Sequence, residues 1–144
     1  MNHHIYLRNG VVYLPTMGMM GKGFYRGVEP VAVVSVENTE ALRQALKATM
    51  ARGNPAVPQP QRRDDWPPPV VLQYARVKSW SAFERGIQFW TLTKENIFRI
   101  RGQKKQPDRM WRDDPEQTIT FPPGASVENV IDRTIAILQD AARK

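Results

Sequence analysis

Three groups of side chains have types and spacings that could do chemistry. His3 and His4 stand together near the N-terminus. Asp64-Asp65 and Asp113-Asp114 are sequential carboxylate pairs, and the stretch MGMMGKGFYRG, Met17 to Gly27, sets four glycines around Lys22 and Arg26. A histidine pair can ligate metal or move protons. Paired carboxylates can hold magnesium. A glycine-rich loop ending in lysine can wrap phosphate with its backbone N–H groups.

None of the three matches its chemistry well. A Walker-type loop requires a first glycine and a final hydroxyl residue; here Thr16 and Gly23 occupy those places. A Rossmann turn requires Gly-x-Gly-x-x-Gly opening into a helix, whereas Gly21, Gly23 and Gly27 are spaced one residue too far and precede a strand-like run. The stretch is expected to be a flexible loop. The histidines are expected at a frayed terminus without rigid support. Each Asp pair has arginine close by in turn-forming sequence, the setting of solvated ion pairs. No catalytic residue, metal site, cofactor or small-molecule substrate emerges, and the expectation is a protein that is not an enzyme.

The elements that must position these residues follow from patterning. Ile5–Arg8 and Val11–Leu14 flank Asn9-Gly10, a dipeptide that accepts the positive φ angles of a type I′ hairpin turn. Val31–Val36 reads as a central strand. Asn38 and Gly53 bracket a helix whose apolar face carries Leu42 and Leu46. Residues 54-69 hold six prolines and are expected to form a connection or an arm laid on the surface. Val70-Val71-Leu72 reads as extended, Ser81-x-x-Glu84 as a capping box before a short helix, and Gly86 as its stop.

Ile87–Leu92 and Ile97–Arg101 form a second hairpin, with Arg99 and Arg101 opposite Phe98 and Ile100. Phe89 and Trp90 point to opposite sides of their strand, and the proline arm is expected to cover whichever faces away from the main core. Thr118–Phe121 adds a strand, and Ser126 caps a final helix bearing Val127, Val130, Ile131, Ile135 and Leu138. The order predicts one α+β domain over 1-144, a mainly antiparallel sheet of about five to six strands packed with two main helices.

Composition narrows the function classes. With 144 residues, a hydrophobic content of 41% and no cysteine, the chain has material for one core and none for a disulfide scaffold or thiol nucleophile. No apolar run reaches the roughly 20 residues of a membrane span, and the first residues lack the apolar core of a secretory signal. A cytoplasmic location is expected. The formal net charge of +7 favours acidic partners or nucleic acid.

The segment RVKSWSAFERGIQFWTLTKENIFRI, Arg76 to Ile100, resembles the Lys-Ser-Trp-x-x-Phe, Gly, strand-turn-strand pattern of immunity proteins of bacterial contact-dependent growth inhibition systems. Lys78, Ser79, Trp80, Phe83 and Gly86 carry the match. The resemblance implies a cytoplasmic, non-catalytic protein that binds and neutralises the C-terminal toxin domain, often a nuclease, of a cognate effector. Inhibitors that fill a nuclease active site are commonly acidic, so this basic chain would meet an acidic toxin face or bind beside the active site. Arg99, Arg101, Lys104, Lys105, Arg109 and Trp111 are the first candidates for contact, since they combine positive charge with an aromatic anchor. Lys22, Tyr25 and Arg26 are the second. The alternative is a small basic nucleic-acid-binding protein, its cations meeting phosphates while Phe98 or Trp111 stacks on a base.

Overall fold

Asn9 and Gly10 take φ of +51° and +76°, the paired positive angles that a type I′ turn requires. They join β1 (Asn2–Arg8) to β2 (Val11–Gly21), with Arg8 opposite Val11. The computed structural model describes residues 1–144 and continues with β3 (Phe24–Ser35), α1 (Thr39–Arg52), α2 (Val71–Ala75), α3 (Trp80–Glu84), β4 (Gln88–Lys94), β5 (Phe98–Lys105), β6 (Trp111–Thr120) and α4 (Val127–Ala142). The six strands make one antiparallel sheet in the order β3-β2-β1-β4-β5-β6.

Alternation along the strands builds two apolar layers. Ile5, Leu7, Val12, Leu14, Trp90, Leu92, Phe98 and Ile100 face α1 and α4, which contribute Leu42, Leu46, Val130, Ile131, Ile135 and Leu138. Tyr6, Tyr13 and Phe89 face the other way, under Val71 and Leu72 of α2 and Phe83 of α3. Both main helices are capped as expected. Asn38 accepts from the Ala41 N–H at 3.1 Å, Ser126 accepts from the Asn129 N–H at 3.1 Å, and Gly53 closes α1 at φ +68°. Val127, the first residue of α4, falls outside its buried stripe and is 43% exposed.

Several local expectations are corrected. Met17 to Gly27 is not a flexible loop: it is the far half of the β2–β3 hairpin, turning only at Lys22-Gly23. Three of its glycines have separate physical reasons. Gly23 turns at φ +84°. A Cβ on Gly18 would lie 2.7 Å from Val57, and one on Gly27 would lie 3.2 Å from Val70. Gly18 and Gly27 therefore let the chain after α1 lie directly on the hairpin.

That chain, 54–69, is an arm on the surface with a 3-10 turn at Arg63–Asp65. The Asn54 carboxamide accepts from the Asn2 N–H at 2.9 Å and donates to the carbonyls of Asn2 (2.7 Å) and Met17 (2.8 Å), bridging β1 and β2 where they part. Beyond this split the Met19 N–H donates to Pro55 and the Met19 carbonyl accepts from Val57, so the arm pairs with β2 where β1 has ended.

The run Val31–Val36 lies in an edge strand rather than a central one, and Val33 is 44% exposed. β-branched residues report a pleated, half-buried surface and not a place in the sheet. Val70–Leu72 opens a short helix instead of a strand, since Pro69 offers its carbonyl to the Leu72 N–H and Arg76, at φ +57°, ends the turn. The N-cap of α3 is Ser79, accepting from the Ala82 N–H at 3.1 Å, and not Ser81. Gly86 stops it at φ +74°. Phe89 is covered by Tyr6, stacked at 4.7 Å between ring centroids, and by Trp111 at 5.9 Å, rather than by the proline arm.

Gly18→Ala is expected to lower the unfolding free energy by about 1–3 kcal/mol through overpacking against Val57 and to speed proteolysis within 59–66. Urea titration and timed digestion check both. An unchanged digestion rate would mean that the arm is not held by this contact.

Candidate partner-binding site

The first group of candidate contact residues gathers on the β5–β6 hairpin. Arg99 and Arg101 project from the face opposite Phe98 and Ile100, both half-buried. Arg101 Nη1 donates to Thr93 Oγ1 at 3.1 Å, and its Nε lies 3.6 Å from Asp113 Oδ2. Arg99 makes no ion pair. Lys104, opposite Arg112 in the register, is exposed, and Arg109 turns the hairpin at φ +70°. Arg112 itself is held by Asp108 at 2.8 Å.

Lys105 and Trp111 sit opposite one another and are tied to the same carboxylate. Lys105 Nζ donates to Glu84 Oε1 at 2.8 Å, and Trp111 Nε1 donates to Glu84 Oε2 at 3.0 Å. The Lys105 and Trp111 hydrogen bonds hold the Glu84 carboxyl below its ordinary range. Glu84 thus locks the end of α3 to the β5–β6 hairpin, and the Trp111 ring packs edge-on against Phe89. These two residues are committed to the fold and Arg101 is shared with Thr93 and Asp113, leaving Arg99, Lys104 and Arg109 as the unpaired cations of this group.

The hairpin is shaped by an irregularity in β6. Arg101 pairs with Thr118 but Gln103 pairs with Asp113, so Asp114–Gln117 bulges outward. Asp114 accepts from the Glu116 N–H at 3.0 Å and from Gln117 Nε2 at 3.0 Å, and Gln117 lies so close over Gly102 that a Cβ there would meet it at 2.6 Å. The Asp113-Asp114 pair is therefore a hydrogen-bonding device of the bulge, with Asp113 also accepting from Gln103 at 2.7 Å.

Lys22, Tyr25 and Arg26 lie elsewhere. Lys22 is exposed at the tip of the β2–β3 hairpin, while Tyr25 and Arg26 are half-buried on β3. Three strands separate β3 from β5, about 19 Å at the usual spacing. The structure does not bring the two groups together. Instead Tyr25 and Arg26 meet Trp66, Pro67–Pro69, Tyr6, His4 and Trp80 around an open cavity of about 280 Å³, a cluster that sequence reasoning missed. No local signal joins Trp66 to Tyr25, because the arm's path is set by its contacts with β2.

The histidines are not frayed. β1 lies in the middle of the sheet, with His3 opposite Leu92 and His4 opposite Thr91. His3 is 2% exposed and neither ring nitrogen has a partner. His4 Nδ1 and the Tyr6 hydroxyl share a hydrogen bond of 3.2 Å. Burial lowers both imidazoles to about 4, aided at His3 by the N-terminal ammonium and Arg52 and at His4 by His3. Both are neutral at neutral pH, His3 buried in the sheet and His4 half-buried beside the cavity.

No family model matches the chain, and no curated protein matches it. Two solved structures share its fold over nearly the whole length. One is a chain of a CdiA-CT/CdiI toxin and immunity complex from Yersinia pseudotuberculosis, with a TM-score of 0.62 and 10% identity, covering 98% of this chain and 95% of that one. The other is a protein of unknown function from Neisseria meningitidis, with a TM-score of 0.60 and 12% identity, covering 98% and 92%.

The residues that carry the sequence resemblance are mostly structural. Ser79 caps α3, Phe83 is fully buried between Tyr6 and Tyr13, Trp80 leans on Phe83 at 5.3 Å, and Gly86 turns the chain. Lys78 is exposed and makes no side-chain hydrogen bond or ion pair within the chain. The motif therefore mainly reports this architecture, the α3 cover seated on the sheet.

Both histidines predict acid sensitivity. The unfolded chain protonates them near 6.5 and the folded chain only near 4, so the unfolded state binds more protons in between and stability falls as pH drops through that window. Urea unfolding is expected to show a loss on the order of a few kcal/mol from about pH 7 to about pH 4.5. His3→Leu, which removes two unpartnered nitrogens, should flatten that slope.

Proposed function

We propose that this protein is a cytoplasmic immunity protein that binds the C-terminal toxin domain, a nuclease, of a contact-dependent growth inhibition effector and neutralises it without catalysing a reaction. The observation that carries the reading is the full-length likeness of fold to a chain of the CdiA-CT/CdiI complex. The Lys78–Gly86 resemblance points the same way, through the residues that seat α3 on the sheet.

Arg99 and Arg101 supply the steering charge in this reading. They stand side by side on the sheet face that α2 and α3 leave open, with Lys104 and Arg109 extending the positive field along the hairpin. Such charges raise association rates and choose partners more than they add affinity. The nucleic-acid alternative is less well supported. Its stacking residues are occupied: Phe98 is 4% exposed in the α1–α4 core, and Trp111 is held by Glu84 and Phe89.

Co-purification with the toxin domain of a cognate effector tests the reading. Arg99→Ala/Arg101→Ala is expected to slow association about tenfold and to flatten its salt dependence. Absence of a toxin complex, together with salt-dependent RNA binding that the same double variant abolishes, would sink the proposal.

A further inference from the structure

Most of the excess positive charge of this chain lies in one stretch of the sequence. Residues 37–53 and 126–144, which contain α1 and α4, hold six basic and five acidic residues. They also pair with each other, Arg43 with Asp132 and Lys47 with Glu128 at 3.3 Å. Residues 62–105, which contain the arm, α2, α3, β4 and most of β5, hold ten basic and four acidic residues.

On the face that carries α2 and α3 runs a groove. The cavity of about 280 Å³ beside Trp66 and a second of about 530 Å³ beside Lys78 share Arg26, Gly27 and Pro67–Pro69. They are the two flanks of one depression between the proline strap and the β2–β3 hairpin. Its walls at one end are aromatic: Tyr25, Trp66, Trp80 and Tyr6. Its charge is cationic. Glu29, the one carboxylate on the lining, is already engaged, accepting from Gln73 at 2.7 Å and from the Tyr74 hydroxyl at 2.6 Å.

Arg26 is the unfinished element. Its Nε is buried and has no acceptor, and its Nη2 reaches only the Pro58 carbonyl, at 3.5 Å. A buried donor without a partner costs about 1–3 kcal/mol, more when charged. A carboxylate entering the groove would satisfy it in the planar, two-pronged geometry that guanidinium favours. Arg, Trp and Tyr are also the residues that anchor protein interfaces.

We infer that this groove is a docking site for an acidic segment of a partner protein, one carboxylate pairing with Arg26 while an adjacent apolar side chain rests among Tyr25, Trp66 and Trp80. The partner being the toxin rests on the function proposed above. A nucleic-acid backbone fits less well, since a run of phosphates needs a track of cations and the groove lining offers only Arg26 and Lys78.

The test uses the whole protein, labelled with ¹⁵N, and a capped peptide of sequence Glu-Asp-Phe-Asp-Glu. The expected result is movement of the Trp66 and Trp80 indole N–H signals while that of Trp90, buried on the opposite face, stays fixed. A Gln-Asn-Phe-Asn-Gln peptide should leave all of them in place. Arg26→Gln should weaken binding about tenfold or more, with its unchanged Trp90 signal reporting an intact fold. No shift with the acidic peptide, equal affinity in Arg26→Gln, or stronger movement of the same signals by single-stranded RNA would each overturn the proposal. Toxin affinity undiminished in Arg26→Gln and Trp66→Ala overturns the groove as a contact and leaves the immunity reading standing. Peptide binding by a protein that binds no toxin domain overturns the immunity reading and leaves the groove.

Discussion

Six residue pairs between β1 and β4, from Asn2 opposite Thr93 to Leu7 opposite Gln88, join two three-stranded meanders into one sheet. Everything else in the molecule follows from that seam. It brings Ile5 and Leu7 beside Trp90 and Leu92 on one face and Tyr6 beside Phe89 on the other. The sheet is therefore apolar on both sides near its centre, and one helical layer cannot close it. α1 and α4 seal the first face. The second is sealed only because the chain after α1 crosses the sheet, and the prolines keep that crossing extended while it runs over β2.

The crossing also explains the composition of the β2–β3 hairpin. Gly18 and Gly27 leave room for Val57 and Val70, and Asn54 supplies hydrogen bonds where β1 and β2 diverge. Sequence features that resemble a phosphate loop are, in three dimensions, the imprint of one segment on another. The same crossing brings Trp66 to Tyr25 and Arg26, so the groove on this face is a product of the way the fold is closed.

Charge is unevenly divided among the segments of the chain. The outer helices balance their charges by pairing across α1 and α4, whereas the arm, α2, α3, β4 and β5 carry the surplus. Some of it is internal structure: Lys105 is consumed by Glu84, and Arg101 is shared between Thr93 and Asp113. Arg99, Arg26 and Lys78 keep their capacity for a partner.

Local signals were sufficient for the elements that stand on local physics. The Asn9-Gly10 hairpin, the caps at Asn38 and Ser126, the stop at Gly86 and the alternation of Arg99 and Arg101 with Phe98 and Ile100 all depend on residues within a few positions of one another, and the α+β class follows from their order. What depended on distant neighbours was not legible. His3 and His4 sit inside the sheet because β4 pairs over them, Val31–Val36 lies at an edge because β1 took the centre, and Val70–Leu72 coils because the arm delivers it against Tyr6 and Tyr13. The sequence by itself determined the fold class, the basic surplus and the face on which Arg99 and Arg101 stand. Only the tertiary structure decided which cations remain free and that Arg26 meets Trp66, since those facts depend on contacts between segments tens of residues apart.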